Sequence, residues 1–453
     1  MRVLAPIVAA VVLTGLALAS PARAQEEEDA ASPPPDTGIP GPWVAYATPP
    51  LLPRETRACG MRVPLCVHAA GGTPGRVVLD VLGAAEHAWE TLAGALGLPP
   101  PDVDPEQRTY PIYLVAGADE PGATWVTARD VRSRIDRARS LTVIDASAAT
   151  AGGCALQALV AREMARAFSL RSAPATAEHV ARAQTTYLAQ LVVPCAAGLG
   201  AAGARAFQTQ PERAVCAGDA AGPFVDGASL FWGRIDWAYG RGPGSIITAS
   251  WALAPSTTDV GTQRWHDEPD AFDVLRVSFK GALSTGSTIN DLLLDTAIAR
   301  AFMGSAEVGL HAPETRTLGD AARVTMDWDL PWPARARRIA PRAPVDPTGA
   351  SYVMIHRAGA APGARLRVEI VWEEHALFRW AFVKLDAQGH ELGRVVIPAR
   401  ERATEAQMTL VDVDAVDRIL LVGVNVGDPS YRFDPDDEVW EPHGWLVTMA
   451  EER

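Results

Sequence analysis

Arg162-Glu163-Met164-Ala165-Arg166-Ala167-Phe168 lies inside an apolar-periodic run over residues 154–170, and the reading of that run decides the fold. A run of this length and period is a helix. Residues four apart on a helix share a face, so Arg162 and Arg166 sit one turn apart with Glu163 beside them. Upstream, Val81, Ala84, Ala88, Trp89 and Leu92 recur at helical spacing and predict an amphipathic helix over 77–98. Two strands, 110–115 and 140–144, separate that helix from the central one. Downstream a further helix is predicted over 176–193, with Thr176 as its N-cap.

The middle of the chain continues as helices over 226–239, 244–252, 270–280 and 289–303, the first stopped by Gly240 and the last by Gly304. Beyond Trp328 the period changes to two. Leu366, Val368, Ile370 and Trp372 alternate as one buried face of a strand does, and Asp386-Ala387-Gln388-Gly389 is a hairpin turn. Strands are predicted over 352–356, 365–372, 378–385, 391–397, 408–413, 418–426 and 445–449, about seven in all, the number of an immunoglobulin-like sandwich. The fold class expected is α+β. A mainly helical domain over 56–330 is followed by a Pro- and Arg-rich linker over 331–347 and an immunoglobulin-like β-sandwich over 348–453.

Over 59–304 the order of elements, an amphipathic helix, two strands and then two consecutive helices, resembles the secreted bacterial gluzincin-like (zincin) metallopeptidases, in which a C-terminal β-sandwich often follows. In that family the first of the paired helices carries His-Glu-x-x-His, often followed by Ala and an aromatic residue. The spacing puts two imidazoles on one Zn²⁺ while the Glu activates a water. The resemblance implies that Arg162 and Arg166 hold the former metal-ligand positions here and that Glu163 is a vestigial general base. Guanidinium has no lone pair to donate, so neither Arg is a ligand. The family's third ligand is a Glu on the next helix. Glu178-His179-Val180-Ala181 keeps that Glu, whereas alignment on Tyr187-Leu188-Ala189 puts Arg182 at the position. No metal and no cofactor is expected. The implied function is that of an exported non-catalytic pseudopeptidase binding polypeptide or serving as a scaffold, with polypeptide or a cell-surface component as partner. The alternatives are an active hydrolase with an unrecognised site and a structural envelope or surface protein.

Export is read from the first 24 residues: Arg2, an apolar run from Val3 to Ala19, and the small-x-small site Ala22-Arg23-Ala24. Residues 25–55, acidic and then Pro- and Gly-rich, read as a disordered spacer. No later stretch is long and apolar enough to span a membrane, and the expected location is periplasm, cell surface or medium. A net charge of −13 argues against nucleic acid. The five cysteines suit an oxidising compartment. Cys59 and Cys66 close a short loop and are expected to pair. Cys195 with Cys216 is favoured for a second bond, whereas antiparallel packing of the paired helices would instead place Cys154 near Cys195. The run Gly240-Arg241-Gly242-Pro243-Gly244 lacks the Lys-Ser/Thr of a phosphate loop, no Gly-x-Ser-x-Gly elbow is present, and Asp434-Pro435-Asp436-Asp437-Glu438 reads as a solvated acidic loop.

Overall fold

Cys59 and Cys66 are cross-strand partners in an antiparallel hairpin of β1 (Thr56–Cys59) and β2 (Leu65–Ala69), and they form the expected disulfide. The computed structural model describes residues 45–129, 137–218, 222–254, 265, 269–281, 288–398, 402–428, 434 and 440–452. The expected signal peptide over 1–24, most of the expected spacer and the acidic run at 435–438 lie outside the described residues. The end of that spacer is not free: Ala47 N–H donates to Val126 C=O at 2.7 Å, Gly71 N–H to Pro53 C=O at 2.9 Å, and Glu55 meets Nδ1 of the buried His68 at 2.6 Å.

The first sheet adds β3 (Tyr110–Val115), β4 (Gly122–Arg129) and β5 (Ala138–Asp145) in the order β1-β2-β3-β5-β4. β2, β3 and β5 run parallel, and the edge strands β1 and β4 run antiparallel to their neighbours. Helix α1 (Gly75–Trp89) buries Val78, Val81, Leu82, Ala85, Ala88 and Trp89 against this sheet, and a π-turn over Glu90–Ala95 completes the expected 77–98 element. Asp145 caps α2 (Ala146–Ala151), accepting from the N–H groups of Ser147 and Ala148. Gly152 and Gly153, both at positive φ, then turn the chain into α3 (Gly153–Ser172), which packs back on β4 and β5.

Helix α4 (Glu178–Val192) pairs with α3 as a hairpin, so the start of α3 lies against the end of α4. The second disulfide is therefore Cys154–Cys195, with a Cα separation of 6.2 Å, and not the favoured Cys195–Cys216; Cys216 is a buried thiol. Two disulfides fit an oxidising compartment outside the cytoplasm. The helical layer continues with α5 (Ala196–Leu199), α6 (Ala201–Gln208), α7 (Pro223–Gly227), α8 (Ser229–Tyr239), α9 (Ser245–Leu253), α10 (Ala271–Gly281) and α11 (Ile289–Arg300). The expected 226–239 helix is broken because α6 and α7 cross in backbone contact: a Cβ on Gly227 would stand 2.1 Å from the Gly203 carbonyl oxygen. None of the described helices is long and apolar enough to cross a membrane.

From Trp328 the chain is a β-sandwich of nine described strands, not seven. They are β6 (Trp328–Pro331), β7 (Arg337–Ile339), β8 (Ala350–His356), β9 (Arg365–Trp372), β10 (Phe378–Leu385), β11 (Glu391–Ile397), β12 (Glu405–Leu410), β13 (Arg418–Asn425) and β14 (Trp445–Glu452). They form one sheet in the order β11-β10-β13-β8-β6 and another in the order β12-β9-β14-β7. The stretch expected as a linker, 331–347, is built into the sandwich: β7 pairs with β14, and Val345 bridges His443. Trp380, Phe382, Leu421 and Val353 face the sandwich core, while Ala381, Val383, Val422 and Tyr352 on the other face of the same sheet join the helical core. Tyr352 O–H donates to the Ala297 carbonyl of α11 at 2.8 Å. The α+β class expected from the sequence is the class observed.

Candidate functional site

Three elements meet around Glu163: helix α3, which carries it, the edge strand β4, and helix α4. The side chain is buried, at 5% exposure, and both carboxylate oxygens are occupied. Oε1 accepts from Arg162 Nε at 3.0 Å and Nη2 at 2.8 Å; Oε2 accepts from Thr124 Oγ1 of β4 at 3.0 Å. The Thr124 hydroxyl also lies 3.1 Å from Thr142 Oγ1 on β5. Close approach of strand and helix is allowed by Gly122, where a Cβ would meet Leu159 Cδ1 at 2.9 Å and Glu163 Cγ at 3.0 Å.

Beside this contact lies an open cleft of about 520 Å³, lined by Glu120 and Pro121 before β4, Ala148 and Ala151 of α2, Ala155, Leu159 and Arg162 of α3, and Arg182 of α4. Arg182 is held by Asp226, with Nε 2.7 Å from Oδ1 and Nη2 3.0 Å from Oδ2. That bidentate bond, opposed by burial and assisted by the charges of Asp226, Glu120 and Glu163, raises the Arg182 pKa above its ordinary value.

Of the residues singled out in the sequence, Arg162, Glu163 and Arg182 come together here. Arg166 and Glu178 do not line the cleft. They pair with each other at 2.5 Å, and Arg166 Nη1 also donates to Ser169 Oγ at 3.1 Å. Sequence reasoning missed Thr124, Glu120 and Asp226. The β4 sequence Gly122-Ala123-Thr124-Trp125-Val126 has no clean alternation, and Asp226 stands 44 residues from the arginine it holds, with no local signal joining them. Asp145 caps α2, which carries the cleft residues Ala148 and Ala151, and its carboxylate is pulled down to about 2, chiefly by the Ser147 hydroxyl, with further help from the Ala118, Ser147 and Ala148 amides against the effect of burial.

No family model matches the chain, and no curated protein matches it. Among solved structures, one similar chain is the enzymatically active domain of tailspike protein 4 of bacteriophage CBA120, at 12% identity and a TM-score of 0.18, with 25% of this chain and 15% of that chain covered. The VP2 subviral particle of infectious bursal disease virus is similar at 14% identity and a TM-score of 0.17, over 26% of this chain and 32% of that one. At such scores neither likeness bears on fold or function. Among the described residues no group of three or more His, Cys, Asp or Glu side chains could hold a metal ion.

Proposed function

We infer that this chain is an exported, non-catalytic metallopeptidase-like protein whose cleft binds extended polypeptide. The observation that carries the reading is the outer edge of β4. Asp145 N–H donates to Pro121 C=O on the β5 side, whereas Val126 C=O accepts from Ala47 on the other. By the two-residue repeat, the backbone N–H and C=O groups of Gly122 and Thr124 point away from β5; Gly122 is buried and Thr124 partly exposed, and Glu120 and Pro121 just before them line the cleft. Ala47 bonds to that edge at Val126, beyond Gly122 and Thr124. Such an edge takes up an added strand, and the small side chains of Pro121, Ala148, Ala151 and Ala155 leave width for one.

The order of helix, strands and paired helices supports the gluzincin resemblance, and the nine-stranded sandwich supports the immunoglobulin-like reading of the C-terminal part. The residues do not fit the zinc ion that the resemblance implies. Arg162, Arg166 and Arg182 offer no lone pairs, and each already donates to a carboxylate. Glu163, with both oxygens engaged, joins α3 to β4 and is not placed to activate water.

The test is equilibrium binding, by fluorescence anisotropy, of a short β-prone Val-Thr repeat peptide and of the same peptide N-methylated at alternate residues. Saturable binding of the first and loss of binding by the second is expected, because N-methylation removes the donors an added strand needs. Equal binding of both, or binding of neither, overturns the reading.

A further inference from the structure

The cleft carries two guanidinium groups that pairing along β4 would leave unused. Arg162 commits Nε and Nη2 to Glu163, and Arg182 commits Nε and Nη2 to Asp226. Each is gripped along one edge, which fixes the plane of the group. Nη1 of each has no hydrogen-bond partner among the described residues. The two side chains keep 26% and 35% of their surface exposed, and both line the same wall-to-wall space. A guanidinium held in this way is a pre-organised donor: the rotamer entropy that an exposed arginine loses on binding has already been lost in folding.

We propose that Arg162 and Arg182 together anchor a peptide carboxylate in this cleft, contributed by a C-terminus or an acidic side chain. The proposal rests on the polypeptide-binding reading and names what that polypeptide must carry. Two guanidiniums here face three carboxylates, Glu163, Asp226 and Glu120, so no net positive field gathers anions. Recognition comes from directed, charge-assisted N–H donors at short range. Glu120 sharpens this. It is an exposed lining residue of the cleft, without a hydrogen-bond partner among the described residues, and close enough to act on Arg182. Its negative charge repels each further negative charge a ligand brings, so the site favours one carboxylate on an otherwise neutral peptide.

The experiment uses the full chain and three Val-Thr repeat peptides: a C-terminal free acid, the neutral amide, and an amide carrying one internal Glu. Affinities are read by anisotropy for the wild type, Arg162→Gln and Arg182→Gln, with thermal unfolding as a check on folding. One of the two carboxylate peptides is expected to bind roughly tenfold tighter than the neutral amide. In either variant the ratio of carboxylate-peptide to neutral-amide affinity, read within that variant, falls to about twofold or less. Preference for the free acid identifies a C-terminus, and preference for the Glu-containing amide identifies a side chain. The comparison of three peptides on wild-type protein needs no variant, so a misfolded variant leaves it intact. If all three bind the wild type equally, the carboxylate anchor is wrong and the polypeptide-binding reading stands. If none binds, both are wrong.

Discussion

Replacing Cys154 and Cys195 together by serine removes the bond that ties the start of α3 to the end of α4, and the structure fixes how much that bond is worth relative to its neighbour. The two residues are 41 apart in sequence, whereas Cys59 and Cys66 are 7 apart. Closing the longer loop removes more conformational freedom from the unfolded chain. The loop-entropy relation gives about 4 kcal/mol for Cys154–Cys195 and about 2.3 kcal/mol for Cys59–Cys66. Native-state effects should widen the gap, because strand hydrogen bonds between β1 and β2 hold Cys59 and Cys66 together without the disulfide. The assay is equilibrium denaturant unfolding under oxidising conditions of the wild type and the two double-serine variants. Cys154→Ser with Cys195→Ser is expected to lower unfolding free energy by roughly twice as much as Cys59→Ser with Cys66→Ser. An equal or smaller loss would refute the reasoning, as would a non-reducing peptide map that links Cys195 to Cys216.

Acid should loosen the contact between the helical layer and the sandwich. Burial alone raises the Glu391 pKa, but hydrogen bonds from His311 and Arg394 outweigh it and bring the carboxyl down from an ordinary 4.5 to about 2. Its stabilising contribution is therefore complete above pH 4.5 and lost as pH falls through 2, a component that Glu391→Gln should delete from a pH series of unfolding free energies. Gly423→Ala should destabilise by about 1–3 kcal/mol, since the added methyl would meet the Trp380 ring inside the van der Waals limit, and a thermal melt measures the cost. Restoring ligands tests the proposed metallopeptidase likeness: Arg162→His with Arg166→His is expected to gain no stoichiometric zinc by metal analysis after dialysis, because Arg166 lies off the cleft that Arg162 lines and pairs with the solvent-facing Glu178. A fragment over 346–453 lacks β6 and β7 and exposes Tyr352, Val383 and Val422, so it is expected to lack native-like circular dichroism when expressed alone.

The parts of this fold legible in the sequence are those in which one element carries its own period. Helix α3 and helix α4 were readable from apolar spacing, β9 from Leu366-x-Val368-x-Ile370, and the Cys59–Cys66 bond from a loop too short to prevent pairing. Elements defined by their partners were not readable. β6 and β7 are 4 and 3 residues long in a Pro-rich stretch and exist because β8 and β14 pair with them. β4 alternates too weakly to be seen, yet the two residues that lead into it, Glu120 and Pro121, line the cleft. The same distinction governs the site. Arg162 and Glu163 were found because they are adjacent on one helix, and Arg182 because it lies on the next. Thr124, Glu120 and Asp226 arrive from separate segments, and only packing brings them to the arginines.

The most direct measurement of the account is amide hydrogen exchange on the full chain with and without the Val-Thr repeat peptide. The outward-facing amide of the partly exposed Thr124 should exchange readily in the unliganded protein and become protected when peptide is bound, while the inward amides of Ala123 and Trp125, already paired with β5, change little. Peptide that binds without protecting Thr124, or protection confined to the sandwich, would contradict the assignment of this edge and cleft as the binding site.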